Sequence, residues 1–143
     1  MAELELWAYL NGQMVRGKDA VLPLTDRGVQ FGDAVYDSIR TYGGKPFQVP
    51  FRIDRFFRSL HYTRIDPGIT KDQLGKATEE VIAANLPLIG PDEEITINYY
   101  VSRGSMDMTD GLTPAGTVAI FCRLLAFASF AKFYVRGAPG LTP

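Results

Sequence analysis

Hydrophobic and polar positions change period several times along the chain, and each change marks an element. Leu4-Glu5-Leu6-Trp7-Ala8-Tyr9-Leu10 reads as a strand. Asn11-Gly12 is the strongest two-residue hairpin signal, so Gln13–Arg16 should return beside it. Leu24-Thr25-Asp26-Arg27-Gly28 is a polar loop with a glycine, and Ala34–Tyr42, carrying Val, Tyr, Ile and Thr, suits a strand. Gly43-Gly44 turns the chain, and Pro46–Pro50 is expected to run back as a short extended segment. From Phe51 to Arg64 the period lengthens. Ile53, Phe56, Phe57 and Leu60 fall at i, i+3, i+4 and i+7, the apolar stripe of an amphipathic helix that Asp66-Pro67-Gly68 ends. Thr70 with Gln73 makes a capping box for a second helix, with Leu74, Ala77, Val81 and Ile82 on its core face and a stop near Asn85-Leu86-Pro87. Glu94–Arg103 and Thr117–Leu125 read as two more strands joined by a long Gly/Asp/Thr/Pro loop.

Strands, then two helices, then strands imply an α+β fold: a two-layer sandwich with an antiparallel sheet and two main helices on one side. Residues 1–125 are expected to form this domain. In 126–143, the aromatic residues Phe127, Phe130, Phe133 and Tyr134 precede Gly137-Ala138-Pro139-Gly140, which reads as a linker toward a further domain.

Composition narrows the function classes. A chain of 143 residues, 46% hydrophobic and 22% charged, is one soluble globular domain by these measures. Its net charge of -1 offers no electrostatic case for nucleic acid or an anionic membrane. Cys122 has no partner for an internal disulfide, which favours a cytoplasmic setting, and no apolar run is long enough to span a bilayer.

Chemistry could reside on the strand faces. Tyr36, Ser38, Arg40 and Tyr42 share one face of Ala34–Tyr42, with Val35, Ile39 and Thr41 largely on the other. Thr96, Asn98, Tyr100 and Ser102 form a similar row on Glu94–Arg103, and Ser105–Gly111 is a loop of the kind that carries substrate contacts. These rows could wall a polar cleft, or they could be a solvated sheet face. The first helix adds Arg52, Arg55 and Arg58 away from its apolar stripe, and a guanidinium fork can bind phosphate by two parallel hydrogen bonds. His61 stands alone, without a second ligand at metal-binding spacing, so no metal site is expected.

Asp26-Arg27-Gly28-Val29-Gln30-Phe31-Gly32-Asp33-Ala34-Val35-Tyr36-Asp37-Ser38-Ile39-Arg40-Thr41-Tyr42, followed by Gly44-Lys45-Pro46-Phe47, closely resembles the opening of the class IV (fold type IV) pyridoxal 5'-phosphate-dependent aminotransferases of the branched-chain/D-amino-acid type. Leu10-Asn11-Gly12, Ile53-Asp54-Arg55-Phe56 and Val101-Ser102-Arg103-Gly104 match in order and spacing. The resemblance runs from about Trp7 to the end of the chain and implies the small N-terminal domain of such an enzyme. It implies that Arg55 holds the cofactor phosphate, that Tyr36 contacts substrate or cofactor, and that Arg40 stands at the active-site entrance. Asn98, in the polar row of Glu94–Arg103, joins them as a candidate substrate-binding residue. It further implies a homodimer and transfer of an amino group between an amino acid or amine and a 2-oxo acid.

The departures are informative. Arg52 stands where the family has histidine, and Met108 and Asp110 stand near the places of an Arg-x-His pair that holds the carboxylate of D-amino acids. D-amino-acid specificity is therefore not implied, and an L-branched-chain and an amine substrate both stay open. None of Lys18, Lys45, Lys71, Lys76 and Lys132 matches the Schiff-base lysine, which the family places in its second domain. The resemblance thus assigns no catalytic residue to this chain, which is expected to be inactive alone as the leading part of a longer enzyme. An aminodeoxychorismate lyase parent and a self-sufficient, non-catalytic binding domain are the other readings.

Overall fold

The computed structural model describes residues 5–105, 116–138 and 140. Strand β1 (Trp7–Leu10) and β2 (Gln13–Arg16) form the hairpin expected at Asn11-Gly12, where both turn residues take positive φ. A one-turn helix α1 (Arg27–Phe31) precedes β3 (Ala34–Tyr42), where the sequence pattern predicts loop. Asp26 makes the helix by accepting a hydrogen bond from Gly28 N, and Gly32 ends it in the left-handed conformation.

The Gly43-Gly44 turn leads into β4, which is only Lys45–Pro46. The extended return expected over Pro46–Pro50 is cut short because helix α2 (Val49–Thr63) already begins at Val49, with proline in its first turn, where a missing N–H costs nothing. Helix α3 (Lys71–Asn85) carries the expected capping box, Thr70 and Gln73 each bonding the other's backbone N–H. Strands β5 (Ile95–Ser102) and β6 (Val118–Leu124) follow, and the chain then forms helix α4 (Phe127–Arg136) inside the segment read as linker. In the loop joining β5 to β6, residues 106–115, with Met108 and Asp110, lie outside the described residues.

The strands form one sheet in the order β2-β1-β6-β5-β3-β4, antiparallel at every pairing. Helices α2 and α3 cover one face, as the α+β sandwich requires. Odd-numbered residues of β3 and β5 and even-numbered residues of β6 point into that layer. Val35, Ile39, Ile97, Tyr99, Val101, Ile120 and Cys122 meet Ile53, Phe56, Leu60, Leu74, Val81 and Ile82 there, all buried. Burying such side chains contributes on the order of 1.5–3 kcal/mol each, an upper bound that decides which face is covered. Asn85 ties the layers together. Its buried amide accepts from Trp7 N at 2.7 Å and donates to Trp7 O at 2.9 Å, so the end of α3 serves β1 as a surrogate strand neighbour.

Candidate functional site

The face of the sheet opposite α2 and α3 carries the polar rows. In register, Tyr36 lies opposite Tyr100, Ser38 opposite Asn98 and Arg40 opposite Thr96. Asn98 is only 3% exposed, whereas Tyr36 is 57% exposed. Asn98 Nδ2 donates to the carbonyl of Phe121 at 3.2 Å and to Thr96 Oγ1 at 3.3 Å. Its Oδ1 accepts the hydroxyl proton of Tyr36. At the far end of β3, the Arg40 guanidinium lies 4.2 Å from the Tyr42 ring and 4.9 Å from the Phe127 ring of α4. Tyr36, Asn98 and Arg40 therefore share one face, as read from the strand pattern.

Arg55 does not join them. It projects from α2 on the covered side, where its Nε donates to Asp37 Oδ2 at 2.9 Å and its Nη2 pairs with Asp37 Oδ1. Asp37 is absent from the candidates that the sequence pattern singles out. Its side chain is 5% exposed against 45% for Arg55, and Ser38 N also donates to it at 2.7 Å. The hydrogen bond to Asp37 raises the pKa of the Arg55 guanidinium above its ordinary value, against desolvation and with help from the carboxylate's charge. One helical turn earlier, Arg52 has a buried Nε with no hydrogen-bond partner among the described residues. Arg52 and Arg55 are neighbours on one flank of α2 by their spacing. The other flank, which bears Asp54, pairs with Lys71 of α3 at 2.6 Å.

Between the two sets lies one strand. Phe47 N donates to the carbonyl of Arg40, so the even-numbered backbone groups of β3 point away from β5. Among the described residues no strand pairs that edge before Thr41. The Arg52–Arg55 flank and the Tyr36 face thus meet along an open strand edge.

Near the start of β3, Asp26 is fully buried. It caps α1 and accepts from Ser102 Oγ and Thr117 Oγ1, each at 2.7 Å. Asp33 accepts from Arg27 Nε and Arg103 Nε, both at 2.9 Å. Hydrogen bonds from Arg103 and then Arg27 hold its carboxyl below the usual carboxylate range. His61 is exposed near the end of α2, and among the described residues no group of His, Cys, Asp and Glu is arranged to hold a metal ion. No helix among the described residues is long and apolar enough to cross a membrane.

No protein-family model matches the chain. Individual proteins do. A provisionally named branched-chain-amino-acid aminotransferase of Methanocaldococcus jannaschii is 34% identical over 116 residues, which is 80% of this chain and 38% of that protein. The D-alanine aminotransferase of Staphylococcus haemolyticus is 35% identical over 77 residues, 54% of this chain and 27% of that protein. Among solved structures, the branched-chain aminotransferase of Thermoproteus uzoniensis with norvaline superposes with a TM-score of 0.70 at 20% identity, covering 83% of this chain and 40% of that one. The branched-chain amino acid aminotransferase of Escherichia coli gives 0.67 at 22% identity, over 85% and 41%. The chain spans about two fifths of the length of the relatives it matches over most of its own length, and it corresponds to their N-terminal portion.

Proposed function

Since the chain belongs to the class IV pyridoxal 5'-phosphate-dependent aminotransferases, as a match to their N-terminal portion, we propose that it supplies the small-domain side of such an enzyme. The reaction of that enzyme would move an amino group between an amino acid, most naturally a branched-chain one, or an amine, and a 2-oxo acid. The observation that carries this reading is the Asp37–Arg55 pair. A guanidinium has five N–H donors, and the bidentate contact with Asp37 engages two on one edge. The remaining edge, which has no partner among the described residues, can take a phosphate by two parallel charge-assisted bonds, with its direction set by a buried carboxylate.

The chemistry of the donors fits a phosphorylated cofactor. Arg55 offers its free edge, and Arg52 offers a buried Nε that has no acceptor among the described residues. Together they would bring two positive charges to a phosphate dianion. Bound pyridoxal 5'-phosphate would supply the electron sink that transamination needs. This chain's part is to bind and orient. Arg55 and Arg52 would hold the phosphate, while Tyr36 and Arg40 would meet the substrate on the other side of the β3 edge, with the buried Asn98 accepting the Tyr36 hydroxyl from behind rather than touching substrate itself. None of Lys18, Lys45, Lys71, Lys76 and Lys132 matches the family's Schiff-base lysine, so the proton transfer at the substrate carbon is proposed to depend on a lysine outside this chain, which alone would not transaminate.

A homodimer and a cytoplasmic setting complete the proposal. Val21, Leu24, Val29 and Phe31 are exposed apolar residues in and before α1, suited to contact with a second subunit. Cys122 is a buried thiol whose pKa burial pushes up to about 12, unreactive and at home in a reducing compartment.

Titration with pyridoxine 5'-phosphate, which has no aldehyde to react with surface lysines, tests the phosphate site. The ester should bind, unphosphorylated pyridoxine should not, and Arg55→Lys should weaken binding by roughly tenfold through loss of the fork. Equal binding of pyridoxine, or an Arg55→Lys protein that binds the ester as well as the parent, would sink the proposal.

A further inference from the structure

Helix α3 holds a glycine that neither its backbone nor its packing requires. Gly75 lies inside Lys71–Asn85, where glycine is less favourable than alanine. It is not among the glycines with positive φ. A Cβ built there would meet nothing nearer than Ile53 Cδ1 at 3.8 Å, an ordinary van der Waals contact. What the missing side chain provides is space. Gly75 opens the α3 wall of a cavity of about 590 Å³ in the groove between α2 and α3. That volume falls in the range of small-molecule sites.

The cavity is apolar inside and charged at its rim. Buried Ile53 and Ile82 line it together with Val49 and Pro50 of the first turn of α2. Thr78 also lines it, but its hydroxyl donates to Leu74 O at 2.7 Å, so that proton is committed to the helix. At the rim, Lys71 is held by Asp54 across the groove at 2.6 Å. Asp72, Lys76 and Glu79 are exposed there and take part in none of the ion pairs among the described residues. The two acids stand four residues before and three after Lys76, which makes them its neighbours on one face of α3.

We propose that this cavity binds a free α-amino acid with an aliphatic side chain. The side chain enters the apolar interior beside Gly75, Lys76 takes the carboxylate, and Asp72 or Glu79 takes the ammonium. A carboxylate alone would bring a third negative charge against two acids. An ammonium alone would meet Lys76. A ligand with both charges on one carbon satisfies both signs of the rim, because the rim groups are themselves adjacent. The site is separate from the one at Arg55. Asp54 and the cavity lie on one flank of α2, and Arg52 and Arg55 lie on the other. An amino acid in this groove therefore does not compete with a phosphate at Arg55, and the proposal does not depend on the aminotransferase reading.

The test labels the isoleucine δ1-methyl groups of the chain and follows them by NMR. The probes are L-leucine, 4-methylpentanoate, 3-methylbutylamine and glycine. Leucine should give saturable shifts at Ile53 and Ile82. The acid and the amine, each lacking one charge contact, should bind at least roughly fivefold more weakly, and glycine should give no response. Gly75→Leu fills the notch and should abolish the leucine response without lowering the thermal midpoint, since leucine is the better helix former. Should that variant not fold, Lys76→Gln alone, and Asp72→Asn with Glu79→Gln, should each weaken leucine by roughly two- to fivefold. Ile53 and Ile82 methyls that ignore leucine, or that answer the acid or the amine as strongly, overturn the proposal. So does an undiminished leucine response in a folded Gly75→Leu or in the rim variants. Pyridoxine 5'-phosphate should bind Gly75→Leu as it binds the parent, so failure at this cavity is distinguishable from failure of the phosphate site.

Discussion

Asp37 and Arg55 form an unequal pair, and the inequality predicts what each substitution does. Asp37 is enclosed while Arg55 is nearly half exposed. Removing the arginine strands a buried carboxylate with Ser38 N as its remaining donor. Removing the acid's charge only releases a guanidinium to water. Arg55→Ala should therefore destabilise by roughly 2–3 kcal/mol and Asp37→Asn by roughly 1 kcal/mol. Urea midpoints at neutral pH give the ranking, and the reverse order would mean the burial argument is wrong. Asp37→Asn should still weaken pyridoxine 5'-phosphate, because the fork loses the group that aims it. Tyr36, Arg40, Asn98 and Arg55 can all be singled out in the sequence by residue type, face or motif. Asp37 is legible on the same grounds: it falls among Val35, Ile39 and Thr41, and an acid at a core position demands a cation. The pairing of Tyr36 with Asn98 is less accessible, since it depends on the β3–β5 register, which alternation alone does not specify.

Among elements, those with a long period or an explicit cap are legible. The apolar stripe of α2, the Thr70–Gln73 box of α3 and the Asn-Gly hairpin each identify themselves locally. Helix α1 is hidden because five residues cannot display a period, although Asp26 before it and Gly32 after it are cap residues. Helix α4 does carry a helical period, Phe127, Phe130 and Tyr134 falling at i, i+3 and i+7, but the Gly137-Ala138-Pro139-Gly140 run that follows draws the whole segment into a linker reading. Close approach fixes α1 on the sheet. A methyl group at Gly28 would overlap the Tyr100 hydroxyl and come within 2.9 Å of Ser102 Cβ. Gly28→Ala should cost roughly 1–3 kcal/mol by overpacking. Adding Tyr100→Phe should restore part of that loss, since it removes the nearest of the three atoms crowding that position, the others being Ser102 Cβ and Asp26 Oδ1. A thermal-denaturation cycle of the four proteins measures the coupling, and strictly additive losses would show that α1 does not seat on Tyr100.

At the scale of the molecule, sequence order does not reveal that β6 lies between β1 and β5. That placement rests on long-range pairing: Ala8, Tyr9 and Leu10 of β1 lie opposite Phe121, Ile120 and Ala119 of β6, and Asn11 bonds the Val118 backbone through its own N–H and its Oδ1. A second long-range brace is open to test by pH. Asp33 joins Arg27 of α1 to Arg103 at the end of β5, and Arg103 in turn donates to Arg64 O at 2.6 Å and Thr63 O at 2.9 Å, at the end of α2. One carboxylate thus bears on three elements. Its pKa is lowered in the folded protein, chiefly by the hydrogen bonds from Arg103 and Arg27. The unfolded chain therefore takes up the proton first as pH falls. The stabilisation is complete above the unfolded value, about 3.9, and drains away as pH drops through the lower folded value. Asp33→Asn should be less stable than the parent by roughly 1–2 kcal/mol at neutral pH, discounted for the partial exposure of the arginines. That gap should narrow steadily below about pH 4, because the parent loses what the variant already lacks. Urea unfolding of both proteins at neutral pH and near pH 3 decides it. A gap that stays constant over that interval would show that Asp33 contributes packing rather than charge, and that the junction of α1, α2 and β5 is held by the backbone bonds of Arg103 alone.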